Sequence, residues 1–276
     1  SVKYKDGRAA SKKLTALMGT NCFTNPKDSE LLSTLFKSIG LNNGDIILDF
    51  FSGSGTTGET VMNIALSTGL DIHFLLVQVA EDLDRSLDKA TGSTKQVLNN
   101  AISLCDFLNS PHLLTEIGKE RIRRAGKKIK EEAGLNAPDD LDIGFRCLRL
   151  DESNMQQVYY TPDAVAQRDL FSLIDNVKPD RTPEDLLFQV MLDLGVLLSS
   201  SIEVKEIAGK KVFNVADGFL LACFDTDVTD ETVKAIAQMK PYYAVFRDSS
   251  MANDSVATNL DEIFKSYSPD TVRKVL

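Results

Sequence analysis

The chain has 276 residues, 43% hydrophobic and 26% charged, with a formal net charge of −9. Such a composition excludes disordered and fibrous classes, and the length admits one large α/β domain or two ordinary ones. No apolar run approaches the roughly 18 residues a membrane span needs, and the opening SVKYKDGRAASKK has no hydrophobic signal-peptide core. A cytoplasmic protein with no membrane partner is the expectation. Cys22, Cys105, Cys147 and Cys223 lie far apart, with only His73 and His112 to assist them. No metal site is expected, and the cysteines read as buried free thiols. Residues 1–134 carry 17 Lys/Arg against 16 Asp/Glu, whereas residues 135–276 carry 14 against 24. The acidic second half is therefore excluded as a nucleic-acid clamp, which needs clustered Lys and Arg.

In chain order, residues 1–22 are polar and basic without a clear period and read as an arm or linker. Thr24 to Lys37 has Pro26 near its start and Leu31, Leu32, Leu35 and Phe36 at helical spacing. Asp45 to Phe51 (DIILDFF) follows Asn43-Gly44 and suits a parallel strand covered on both faces. SGSGTTGETVMNIALSTG is a glycine loop entering a helix that stops near Gly69, and Ile72 to Val79 reads as a second strand, completing one βαβ unit. Ser93–Leu108 and Leu113–Ala133 read as helices. Residues 135–142 are a linker, after which a second α/β pattern begins. Its expected elements are a strand at Gly144–Leu150 and a helix capped by Thr182-Pro183. A hairpin of Ile202–Ile207 and Lys211–Val215 follows, then strands at Phe219–Phe224 and Tyr243–Arg247. Helices at Thr229–Met239 and Leu260–Tyr267 complete the set.

Gly53-Ser54-Gly55-Thr56-Thr57-Gly58 fits the G-x-G-x-x-G spacing between a strand and a helix. Glycines there let the backbone approach a ligand while free amides of the helix start face it. A dinucleotide would set its pyrophosphate on those amides. S-adenosylmethionine has no phosphate, and its cationic methionine end calls for an acid nearby. Asp49, four residues before Gly53, would attract an ammonium and repel a pyrophosphate; alternatively it caps the loop by bonding its amides. At the second strand tip stands Gln78, followed by Glu81 and Asp82; an NAD site would prefer a carboxylate on the tip, whereas Gln78 can bond a ribose hydroxyl, or is equally a buried polar residue satisfied by backbone.

FTNPKDSELLSTLF (23–36), DIILDFFSGSGTTGETV (45–61) and FLLVQVAED (74–82) together resemble the cofactor-binding half of amino-group DNA methyltransferases of the beta arrangement. Within them the chain most resembles the modification subunit of type III restriction-modification systems, as do IGKERIRRAGKKI (117–129), RTPEDLLFQVMLDLGV (181–196), LLACFD (220–225) and AVFRDSSMANDSV (244–256). The resemblance implies a partial Rossmann-like, S-adenosylmethionine-dependent sheet at 23–134 and a smaller α/β assembly domain at 135–276. It implies that Phe23, Thr24, Pro26 and Lys27 line the cofactor pocket, that Asp49, Phe51, Ser52, Gly53, Gly55 and Thr56 enclose the methionine end, and that Gln78 meets the ribose. Many relatives carry an acid at the position of Gln78. Lys27 has a plainer alternative as an exposed helix-start lysine.

Transfer of a methyl group to an exocyclic amine, adenine N6 in this family, requires a flipped base held in line with the sulfonium methyl. Such families use an Asp-Pro-Pro-Tyr-like segment, and this chain has no Pro-Pro pair. The chain is accordingly expected to be the C-terminal portion of a longer protein, with no catalytic residue of its own and no activity alone. DNA contact would come through the other half. Its unpaired first strand would favour a homodimer, and the acidic domain would pair subunits and contact the restriction subunit. An NAD(P)-binding oxidoreductase domain and a non-catalytic oligomerisation module are the alternatives. The basic helix, with Lys119, Arg121, Arg123, Arg124, Lys127, Lys128 and Lys130 around an inward stripe of Ile122, Ala125, Ile129 and Ala133, reads as a solvated face, a phosphate-contacting or partner-docking role being the alternative.

Overall fold

The structure is a computed structural model describing residues 7–134, 138, 141–156 and 177–276; most of the expected linker lies outside these residues. The fold is α/β, in two compact units, Ser1–Leu148 and Arg149–Leu276.

The first unit opens with α1 (Gly7–Met18), which buries Ala10, Leu14 and Met18. This corrects the expectation of an arm: the three residues are spaced four apart and form a stripe one side chain wide, inconspicuous among Arg8, Ser11, Lys12 and Lys13. Next comes α2 (Ser29–Ile39), which starts later than expected because Asp28 is its N-cap, accepting hydrogen bonds from the amides of Glu30 and Leu31 at 2.9 and 3.0 Å. Strand β1 (Ile46–Asp49) pairs in parallel with β2 (His73–Leu76), with α3 (Thr56–Thr68) as the connection. Both strands are shorter than their apolar runs.

Ile47 and Phe74 on the sheet's inner side join Val61, Ile64 and Ile72 in a core. Its other side is bare. Ile46, Leu48, Phe50, Leu75, Val77 and Val79 are all exposed, Ile46 by 65%, and so are Leu31, Leu35 and Ile39 along α2. The expectation of a strand covered on both faces is therefore corrected: among the described residues only one face of β1 and β2 is packed.

Helices α4 (Leu83–Lys89), α5 (Gly92–Phe107) and α6 (Leu114–Ala133) follow. They close over a core of Leu14, Met18, Cys22, Leu83, Ala101, Leu104, Cys105 and Ile117. Burial pushes the Cys22 thiol up to about 11 and raises that of Cys105, which keeps both as small, inert core residues. Cys147, contrary to expectation, is exposed.

The turn before α6 is held by His112, whose Nδ1 lies 2.9 Å from an Asp84 carboxylate oxygen and whose Nε2 lies 2.9 Å from one of Asp106. Both ring nitrogens can donate only when the ring is charged, so the bonds to Asp106 and Asp84 raise its pKa above the ordinary value. A group with a folded pKa above its unfolded one adds stability below the unfolded pKa, and that stability is lost as pH rises through the folded value. Between about pH 6 and pH 9, the melting temperature of the chain is expected to fall more steeply than that of His112→Gln. Parallel pH profiles by calorimetry would count against this clamp.

In the second unit, α7 (Pro183–Asp193) begins in a capping box. Thr182 Oγ1 accepts from the Asp185 amide, and the Asp185 carboxylate accepts from the Thr182 amide at 2.8 Å. Strands β3 (Ile202–Ile207), β4 (Lys210–Val215), β5 (Leu220–Cys223), β6 (Tyr243–Phe246) and β7 (Val272–Val275) form one sheet in chain order, antiparallel as far as β5 and parallel beyond it. Helices α8 (Asp230–Gln238) and α9 (Asp254–Tyr267) supply the crossovers.

Alternation along β4 and β5 sends Phe213, Val215, Leu220 and Ala222 into the core with α7, and Val212, Leu221 and Cys223 into the one with α8 and α9. Burial pushes the Cys223 thiol up to about 11. Two expectations are corrected: residues 144–150 form no strand, and α9 begins at Asp254 rather than near Leu260. The short charged β7 (VRKV), an element not expected from sequence, adds an edge strand.

Candidate functional site

The glycine loop leaves the tip of β1 and enters α3 through Gly55, the helix N-cap, in the left-handed conformation with φ 77°. A Cβ on Gly55 would lie 3.1 Å from the Gly118 carbonyl oxygen, and one on Gly118 would lie 3.2 Å from that of Gly53. Backbone thus meets backbone where the loop crosses α6, and side chains there would push the two apart.

Asp49 braces the loop on both sides. One carboxylate oxygen accepts from the Phe51 amide at 3.1 Å and the other from the Thr57 hydroxyl at 2.6 Å. The capping role weighed from sequence is therefore present. It does not exhaust the group, because an ionised carboxylate offers about four acceptor positions and Asp49 is only half-buried. Gln78 crosses from β2: its carbonyl oxygen accepts from the Gly53 amide at 2.8 Å and its amide donates to the Val79 carbonyl at 3.2 Å. One amide hydrogen remains for another acceptor.

The ring of Phe23 lies against Gly53, 3.0 Å from where a Cβ would stand. Phe23, Asp49, Gly53, Gly55, Thr56 and Gln78 are thus brought to one loop. Ser52 is half-buried beside them, its amide donating to the Val77 carbonyl at 3.2 Å. Phe51 is 87% exposed. Thr24 is exposed and Pro26 buried. Lys27 is exposed and lines a small recess of about 10 Å³, enough for one water, together with Lys13, Ser29, Glu59 and Arg121.

Sequence reasoning missed Arg121. Only 3% exposed, it donates through Nε to Glu59 at 2.8 Å and through Nη1 to the hydroxyls of Ser54 at 2.7 Å and Thr56 at 2.6 Å. The signal was available: Ile117, Arg121, Ala125 and Ile129 are spaced by four, so the arginine stands in the inward stripe.

Of the remaining charge of α6 the outer residues form a solvated face, whereas Arg124 is half-buried and also donates through Nη1 to the Met18 carbonyl at 2.6 Å, tying α6 to the end of α1. Lys119 pairs with Glu116, Arg123 and Arg124 with Glu120, Lys127 with Glu131 and Lys128 with Glu132. Among the described residues no group of three or more His, Cys, Asp or Glu is placed to hold a metal ion, and no helix is long and apolar enough to cross a membrane.

The sequence model of the DNA methylase family matches residues 2–82, which hold α1, the βαβ unit and the glycine loop. The Mod subunit of the type III restriction-modification enzyme EcoP15I from Escherichia coli is 28% identical over 288 residues, covering 97% of this chain and 37% of that protein. The StyLTI Mod subunit of Salmonella typhimurium is 30% identical over 145 residues, covering 52% of this chain and 19% of its own length. The EcoPI Mod subunit of Escherichia phage P1 is 31% identical over 139 residues, covering 50% and 18%. The chain thus spans well under half the length of the curated relatives it matches. A match running through nearly all its residues makes the chain similar to the type III Mod subunits, and its first 82 residues similar to the DNA methylase family.

Proposed function

We propose that the loop at 52–58 holds S-adenosylmethionine and that the chain serves as the cofactor-binding part of a type III Mod methyltransferase acting on adenine N6 of DNA. The observation that carries this reading is Asp49, a carboxylate with unused acceptor positions at a strand tip beside the glycine loop. It suits an ammonium and repels a pyrophosphate. In the proposed pose Asp49 takes the amino group of the methionine end, Phe23 walls the loop at Gly53, and Lys27 stands near the carboxylate end. Gln78 offers its remaining amide hydrogen to the ribose, while Phe51, Ser52, Gly55, Thr56, Thr24 and Pro26 complete the enclosure. The bound cofactor supplies an electrophilic methyl group on its sulfonium; this chain's residues bind and orient it.

These residues include no Asp-Pro-Pro-Tyr segment to hold a flipped base, so alone they are expected to transfer no methyl group. The bare apolar side of β1, β2 and α2 supports further polypeptide packing there, from the same longer protein or from a second copy in a homodimer. The acidic unit from Arg149 is proposed as the part that assembles with other subunits, the restriction subunit included, and DNA contact falls outside it.

An NAD(P) site would favour a carboxylate at the tip of β2, where Gln78 is instead bonded to Gly53. Calorimetric titration of the whole chain separates the two. Saturable binding of S-adenosylhomocysteine with none of NADH is expected; the reverse pattern overturns the proposal.

A further inference from the structure

We propose that Arg121 is a positioning residue for the ligand loop: from α6 it fixes the hydroxyls on both sides of Gly55, so that the loop amides hold one arrangement before the cofactor arrives. The inference rests on the cofactor reading above and names a residue that reading does not require.

A guanidinium buried in an apolar stripe is costly unless its hydrogens are taken up. Here they are directed to particular partners. Nε goes to Glu59, in the first turn of α3, and the two Nη1 hydrogens go to Ser54 and Thr56. Those residues flank Gly55, the left-handed N-cap through which the chain turns from loop to helix. One planar fork therefore spans the turn and anchors it to α6, whose Gly118 already meets the loop backbone. Lysine has three donors but all on one nitrogen, so it lacks the planar fork that reaches Glu59 from Nε while Nη1 holds the two hydroxyls.

The pinned segment is the one expected to meet the amino-acid end of the cofactor, so loosening it should weaken ligands that possess that end and spare those that lack it.

Arg121→Lys tests the fork. Ser54→Ala tests one of the same contacts while leaving the Arg121–Glu59 and Arg121–Thr56 bonds intact, which guards against a variant that fails to fold. In the whole chain without ligand, amide exchange at residues 52–57 is expected to rise about tenfold in both variants, with α5 and the core of α6 unchanged. The Kd for S-adenosylhomocysteine is expected to rise about tenfold, while that for 5′-methylthioadenosine, which lacks the amino acid, stays the same. Unchanged loop exchange and affinity in both variants overturns the inference. So does faster exchange throughout α1, α3 and α6 with both ligands weakened alike, the signature of a merely structural role. Failure of the wild-type chain to bind S-adenosylhomocysteine overturns the cofactor reading, and this inference with it.

Discussion

Asp49→Asn is expected to weaken S-adenosylhomocysteine binding by about 30- to 150-fold, read as a rise in Kd by calorimetry. The asparagine carbonyl can still accept from the Phe51 amide, and its NH2 can donate to the Thr57 hydroxyl, so both braces on the loop survive in altered form. What disappears is the negative charge. Removing one member of a hydrogen-bonded charge pair costs about 2–5 kcal/mol, and half-exposure places Asp49 at the lower end, about 2–3 kcal/mol, which converts to the stated range. Asp49→Ala adds the loss of both braces and is expected to bind no better than the asparagine variant. Wild-type affinity in Asp49→Asn would leave Asp49 as a loop cap only and remove the main support for a cationic ligand.

Phe264→Ala is expected to destabilise the second unit by about 3–5 kcal/mol, the usual cost of emptying a large aromatic site in a closed core. Phe264 is 0% exposed in α9, and its ring lies edge-on to that of Phe246 on β6 at 6.2 Å; such pairs add about 0.5–1.5 kcal/mol beyond burial. Together they join a crossover helix to the parallel half of the sheet. Urea unfolding should move to a lower midpoint with its slope preserved. Leu192→Ala, at a position 64% exposed in α7, is the control, expected to change stability by no more than about 0.5 kcal/mol. Equal midpoints for the two variants would mean that the α8–α9 core contributes little.

Much of this was legible in the sequence because local chemistry and tertiary packing agree there. DIILDFF, the glycine loop and IHFLLVQV yielded the βαβ unit, and Gly69 closes α3 with its amide bonded to the Ala65 carbonyl. Thr182-Pro183 marked α7. The misses have physical causes. α1 is a narrow apolar stripe among lysines, visible only against the core it covers. GFRCLRL at 144–150 has strand-forming residues, but a strand exists only with a hydrogen-bonding neighbour; Phe145 instead joins the core beside α6, under Arg123. In the site, Asp49 and the glycines were readable from their position after a strand. The double engagement of Gln78 and the partners of Arg121 were not, since each depends on a contact spanning 25 or more residues, although the spacing by four already placed Arg121 in the inward stripe.

The bare side of β1, β2 and α2 also sets how the isolated chain behaves in a tube. Apolar adhesion strengthens on warming from the cold and in sulfate, and weakens near freezing and in dilute urea. Clumping through that surface would therefore be least in an ice bath and greatest when a salting-out step is run at room temperature.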